Sequence, residues 1–272
     1  MERISILGFI VAILYFITME LACNGYTHIG NNIQSEQETL IDFKSGLKDP
    51  NNRLSSWKGS NYCYWQGITC EKDIGIVISI DLHNPYPRAE FSGTIPSNFG
   101  NLSNLQYLDL SSEDPSYDDF EYFNDLSIGN IEWMASLVSL KYLGMDYVNL
   151  SSVGSEWVEV LNKLPILTEL HLDGCSLSGS IPSPSFVNFT SLLVISINSN
   201  QFISMFPEWL LNVSSLGSID ISNNQLHGRI PLGLGELTQF AIHRSIREWQ
   251  SPGQYLSIVE EELEKDRISQ FG

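Results

Sequence analysis

Few side chains in this 272-residue sequence are spaced for chemistry. The five histidines, His28, His83, His171, His227 and His243, are scattered and share no metal-ligand spacing. His171 and Asp173 stand two apart and would point outward from one strand, but no third group or pocket completes an acid–base site around them. Gly233-Leu234-Gly235 lacks the Lys-Ser/Thr that a phosphate loop requires. Cys63 and Cys70 do not form the paired CxxC spacing of a zinc site; outside the cell two cysteines this close favour a local disulfide. The acidic run from Ser112 to Asp125 lacks the ligand spacing of a calcium loop. No catalytic residue, metal site or cofactor is therefore expected. What remains is recognition: polar groups displayed on a surface.

Bulk properties narrow the partners. Lys and Arg number 14 against 32 Asp and Glu, for a formal net charge of -18. Binding a phosphate backbone relies on cations that release condensed counterions, so nucleic acid is excluded as a partner, and anionic membrane surfaces are disfavoured for the same reason. Arg3 precedes an apolar run from Ile4 to Ile17, with small or polar residues from Ala22 to Gly25. That is the layout of a secretory signal peptide, assigned to residues 1–25, and Cys23 leaves with it. No other apolar run approaches the ~20 residues of a spanning helix, so no membrane span is expected apart from the signal.

The elements that must position the surface groups repeat. One template recurs: apolar, two residues, apolar, two residues, apolar-x-apolar, two residues, Asn or Cys, x, apolar. It fits Leu164/Leu167/Leu170/Leu172/Cys175/Leu177, Phe189/Leu192/Ile195/Ile197/Asn200/Phe202 and Val213/Leu216/Ile219/Ile221/Asn224/Leu226. Looser copies run through Leu108/Leu110 and through Leu143/Met145, with Val148 at the Asn position, and Ile80/Leu82 begins the first. Leu170, Ile195 and Ile219 are spaced 25 and 24 residues apart, inside the window of leucine-rich repeats. The apolar-x-apolar pair is a strand with one face buried, and stacked copies make a parallel sheet. The Asn amide lies where the chain turns inside the coil and satisfies backbone groups removed from water. Cys175 takes that slot and should be a buried, unreactive thiol. A second motif, L-x-G-x-I-P, recurs at Phe91–Pro96, Leu177–Pro182 and Leu226–Pro231, with Phe202–Pro207 as a copy lacking Gly. Its Gly suits a backbone position that other residues resist.

These motifs resemble the plant extracellular leucine-rich-repeat group, which includes receptor-like kinases, receptor-like proteins and polygalacturonase-inhibiting proteins. The N-terminal segment adds to the likeness. Ser35-Glu36-Gln37-Glu38 reads as a capping box, and Leu40, Phe43 and Leu47 line one helix face closed by Asp49-Pro50. Leu54-Ser55-Ser56-Trp57 and the Cys63/Cys70 pair around Trp65 complete it. The resemblance implies an α/β leucine-rich-repeat solenoid, a curved right-handed coil with a parallel sheet on its concave face, behind a helical disulfide cap. The cap is assigned to 35–75, the repeats to 76–240 with an insertion at about 112–135, and a divergent acidic tail to 241–272, where the pattern stops. Receptor-like proteins continue through more repeats, a second cap and a membrane helix, so the chain reads as the N-terminal part of one, with a truncated, non-signalling decoy as an alternative. The insertion favours the receptor-like branch over a secreted inhibitor of a cell-wall-degrading enzyme, the other alternative.

Outward strand positions form a ladder across the concave face. Asp109, Asp146, Glu169, His171, Asp173, Ser196, Asn198 and Asp220 are the expected ligand-facing residues. The surface is acidic and suits a basic or polar ligand; the resemblance implies a protein, peptide or glycan, with a co-receptor kinase as a further partner. Sequons place N-glycans at Asn101, Asn149, Asn188 and Asn212, three of them at one phase of the repeat. The location implied is the secretory pathway and the extracellular or cell-surface space.

Overall fold

The computed structural model describes residues 35–84, 91–112, 126–228 and Pro231, with the backbone of a strand at 241–242. The leader, most of the acidic run and most of the tail lie outside the described residues. A helix, α1, occupies residues 35–46. The strands that follow are β1 (Leu47–Lys48), β2 (Ile68–Cys70), β3 (Val77–Asp81), β4 (Ser92–Thr94), β5 (Tyr107–Asp109), β6 (Leu126–Ser127) and β7 (Tyr142–Gly144). After a short helix, α2 (Trp157–Leu161), come β8 (Glu169–His171), β9 (Ser178–Gly179), β10 (Val194–Ser196), β11 (Gln201–Phe202), β12 (Ser218–Asp220) and β13 (Ala241–Ile242). Among the described residues no helix is long and apolar enough to cross a membrane.

The main sheet has eight strands in the order β13-β12-β10-β8-β7-β5-β3-β2. All neighbours are parallel except β2 and β3. Ile80, Leu108, Leu143, Leu170, Ile195 and Ile219 stand side by side, in the phase the template sets. Each is buried, and the other apolar template positions fill the same continuous core. A coil of this kind cannot bury its apolar face alone; stacking supplies the partner surface.

The Asn slot works as its chemistry requires. Asn200 is 6 % exposed; its Oδ1 accepts from Leu177 N–H and its Nδ2 donates to the carbonyls of Leu172, Ile197 and Asn198. Asn224 repeats the pattern one coil later, accepting from Phe202 N–H. Cys175 reproduces the donor role, its thiol reaching the Met145 carbonyl at 3.0 Å. Burial pushes its pKa well up, so it stays a thiol.

A second ladder begins in the cap: β1 pairs antiparallel with β4, which pairs parallel with β6. Here the motif glycine is required. Gly93 has φ 130°, and a Cβ there would lie 2.2 Å from the Gly46 carbonyl oxygen.

The cap closes the first coil with aromatic rings. Phe43 packs on Trp57 and Phe99, Trp57 stacks on Trp65, and Phe99 meets Trp133 edge-on. Cys63 and Cys70 are joined, with 5.5 Å between their Cα atoms.

Glu36 lies within α1, 2 % exposed, and its Oε2 accepts from Val77 N–H and Tyr62 O–H, tying the cap to β3. Three expectations need correction. Asp49 caps the next turn, accepting from the N–H groups of Arg53 and Leu54, and Leu47 belongs to β1 rather than the helix face. Residues 126–135, assigned to the insertion, form regular repeat structure. Leu126 opens β6, and Ile128, Ile131, Trp133 and Met134 are buried. The main sheet also reaches into the segment assigned to the tail, because β13 pairs with β12.

Candidate functional site

The main sheet's outward side chains fall into three rows, set by the register of the buried residues. One residue before each buried centre come Ser79, Tyr107, Tyr142, Glu169, Val194 and Ser218. One residue after come Asp81, Asp109, Gly144, His171, Ser196 and Asp220. Two positions further on, Ser111, Asp146, Asp173, Asn198 and Ser222 follow in the same coils.

Much of this surface is tied down by its own hydrogen bonds. Asp109 is only 5 % exposed. Its Oδ1 accepts from Ser111 N–H at 2.9 Å, and its Oδ2 accepts the hydroxyls of Tyr107 at 3.2 Å and Tyr142 at 3.4 Å. Gly144 makes room for it, since a Cβ there would meet Asp109 Oδ1 at 2.7 Å. Asp146 Oδ1 accepts from Asp173 N–H in the next coil, and Asp173 Oδ1 accepts from Asn198 N–H and Ser196 Oγ in the coil after that. Asp220 Oδ1 accepts from Ser222 N–H. A carboxylate that accepts backbone N–H bonds between coils is fixed in orientation. Desolvation raises Asp146 to about 6, helped by the nearby charges of Asp173 and Asp109 and opposed by the Asp173 N–H bond. Burial likewise raises Asp173, against the bonds from Ser196 and Asn198.

The eight expected residues therefore divide. All lie on the outward face of the sheet or on its continuation, and together they form one strip. Asp109 and Ser196 are buried and serve their neighbours; Glu169 and His171 keep 43 % and 23 % of their side chains exposed, 3.4 Å from each other.

Two residues the sequence reading passed over, Tyr107 and Tyr142, dominate one end of the strip. Their rings stack at 4.4 Å with 10° between planes, and His171 packs on Tyr142 at 5.3 Å. Burial raises both phenols, with help from Asp109: Tyr107 to about 12 and Tyr142 further. They stay neutral donors at any physiological pH. The signal was available: each stands one residue before a buried centre in adjacent copies of the template, an outward position on a strand.

Of the four sequon asparagines, Asn101, Asn149 and Asn212 are exposed. Asn188 is half-buried, and its Nδ2 donates to the Asn162 carbonyl. Asn101, Asn188 and Asn212 precede the buried strand centres Leu108, Ile195 and Ile219 by one constant interval, so they line a single flank.

Known proteins carry the same pattern. A leucine rich repeat N-terminal domain model matches residues 33–71, and a leucine rich repeat model matches 167–187 and 215–237. Receptor-like protein EIX1 of Solanum lycopersicum is 28 % identical over 272 residues, and receptor-like protein EIX2 of the same species is 32 % identical over 265. Each match takes in 75 % of this chain and 25 % of the relative, so the chain spans about a quarter of their length. Among solved structures, the BIR2 ectodomain from Arabidopsis thaliana superposes with a TM-score of 0.56 at 28 % identity, covering 71 % of this chain and 94 % of that one.

Proposed function

We propose that this chain, a leucine-rich-repeat solenoid whose relatives are plant receptor-like proteins, is a non-catalytic extracellular recognition module that binds its ligand on the outward face of the main sheet. The observation that carries this reading is the strip itself. Carboxylates and aromatic rings from successive coils are locked by hydrogen bonds between coils, which gives a rigid, preorganised acidic surface. A surface of that kind in a chain of net charge -18 suits a basic polypeptide ligand and speeds its encounter.

The paired cysteines, the sequons and the leader-like N-terminus support passage through the secretory pathway to the cell surface. Defence or developmental signalling is the role proposed, with a co-receptor kinase as a second partner, by analogy with the receptor-like relatives.

The test is a panel of immobilised decapeptides of basic, neutral and acidic composition, presented to the secreted chain in surface plasmon resonance. Basic peptides should be retained, with the response falling as salt rises. Glu169→Lys and Asp220→Lys, both partly exposed, should each lower that response, and Glu169→Lys should do so without changing the melting curve. Equal retention of acidic and basic peptides, or no effect of either charge reversal, would refute the reading.

A further inference from the structure

The ring column on the main sheet has two different ends. On one side Tyr142 is followed by His171, whose Nε2 lies 3.4 Å from Glu169 Oε2. On the other side the residue next to Tyr107 in the same row is Ser79 on β3. Beyond Ser79, across the antiparallel pair, stands Thr69 on β2, itself exposed. Serine and threonine are too short to reach up the side of a tyrosine ring, and among the described residues no aromatic ring or cation stacks on that face. Tyr107 and Tyr142 stack across neighbouring strands, so their planes stand upright on the sheet. The second face of Tyr107 therefore looks out over Ser79. Strands lie about 4.8 Å apart, which leaves room above Ser79 for one further flat group in the stack.

What that group should be follows from the charges beside it. Asp81 is the next outward residue on β3, exposed, with Oδ1 accepting His83 N–H. The nearby Arg53 guanidinium feels its charge but is turned to the Leu82 and His83 carbonyls and the Phe91 ring. Asp109 sits directly behind the tyrosine hydroxyl. An aromatic face is already electron-rich, and carboxylates on the same side deepen that potential. A planar cation satisfies both demands: it stacks flat on the ring and turns its N–H edge toward a carboxylate, as guanidinium does and a compact ammonium does not.

We propose that the second face of Tyr107, above Ser79 and beside Asp81, is a subsite for the guanidinium of an arginine side chain carried by a polypeptide ligand. The proposal rests on the main sheet being the recognition face and adds to it one position and one side-chain class. Asp109 and Tyr142 are positioning residues in this site: Asp109 accepts the Tyr107 hydroxyl, and Tyr142 stacks on the ring's other face. Asp81 is the residue that meets the ligand's N–H groups.

The experiment uses the full secreted chain with ring-13C tyrosine, titrated with acetyl-Gly-Arg-Gly-amide and with the same peptide carrying citrulline, the neutral isostere of arginine. The arginine peptide should move the Tyr107 ring signals, identified by their loss in Tyr107→Phe, with an affinity about tenfold above that of the citrulline peptide. Tyr107→Phe should retain binding, because it keeps the ring. Tyr107→Leu should remove it, and Asp81→Asn should weaken it several-fold while the remaining tyrosine signals stay in place as a check of the fold. Equal affinity for the two peptides, or unchanged binding in Tyr107→Leu, would overturn the subsite. In either of those cases a loss of arginine-peptide binding in Glu169→Lys would leave the recognition face standing, whereas no effect from that variant would remove both readings.

Discussion

Asp146 offers a prediction whose sign and size both follow from the structure. Its carboxyl lies largely out of water and near Asp173 and Asp109, and its pKa rises from 3.8 to about 6. Folding therefore prefers the protonated form. The stability this provides is fully present below pH 3.8, where folded and unfolded chains are both protonated, and is lost as pH rises through about 6, where the folded chain must carry a charge it holds poorly. A displacement of about two pH units corresponds to at most about 3 kcal/mol, at roughly 1.4 kcal/mol per unit, and part of it belongs to the neighbouring Asp173. Asp146→Asn keeps an acceptor for Asp173 N–H and never ionises. The assay is urea unfolding of both proteins at pH 4, 5, 6 and 7. Carboxylates distant from Asp146 cancel in the difference between the two proteins; Asp173 and Asp109, which feel its charge, do not, and their share is part of the expected gain. The variant should match or trail the parent at pH 4 and gain on it by about 1–3 kcal/mol by pH 7. A difference that stays flat from pH 4 to 7 would show that Asp146 titrates as a solvated carboxylate, and the tight packing of the aspartate row would have to be given up.

The remaining predictions concern the core and the surface. Asn200→Ala leaves the buried Leu177 N–H and Leu172 carbonyl without a partner, while the Ile197 and Asn198 carbonyls keep Asn224 Nδ2 and Gly174 N–H, and should cost about 2–5 kcal/mol in the same assay; Asn200→Cys, which keeps a donor as Cys175 does, should cost less. Glu36→Ala should destabilise by about 2–4 kcal/mol because Val77 N–H loses its acceptor and Tyr62 loses one of its two, whereas Glu36→Gln should be near neutral; equal losses would refute the link between cap and β3. Glycopeptide mapping of the secreted chain should find the exposed Asn149 and Asn212 more fully occupied than Asn188, which is half-buried with its amide held by Asn162; full occupancy at Asn188 would count against that contact.

What could be read from the sequence, and what could not, divides along the line between inside and outside. Leu170, Ile195 and Ile219 could be matched because each occupies a place where only an apolar side chain fits, so the choice at that position is narrow. Asn200 and Asn224 were legible for a related reason: few other side chains can accept from one buried N–H and donate to several carbonyls. The L-x-G-x-I-P glycine was legible because its backbone conformation excludes a Cβ, as the contact between Gly93 and Gly46 makes concrete. Outward positions carry no such restriction. Tyr107 and Tyr142 became a stack only once the register placed them on neighbouring strands, across an interval widened by the run after Ser112. The role of Glu36 was not legible, because a carboxylate near a helix start says nothing of a distant partner. Its partner Val77 lies 41 residues away, and only the folded cap brings the two together.

The same division explains why the strip suits recognition. In a solenoid each coil contacts only its neighbours, so a mutation in an outward row disturbs the core little and the surface can change while the stack persists. Here, however, the outward carboxylates also bond across coils: Asp146 to the Asp173 amide, and Asp173 to the Asn198 amide and the Ser196 hydroxyl. These residues cannot drift freely, because each loss would free an amide at the edge of the core. The rows therefore separate two duties. The aspartates that tie coil to coil set the charge and the rigidity of the face, and in the proposed reading the side chains beside them, Tyr107, Tyr142, Glu169 and His171, set which ligand it takes. Specificity on this surface should accordingly change with substitutions in the row that carries the tyrosines and Glu169, and stability with substitutions in the row that carries Asp146 and Asp173.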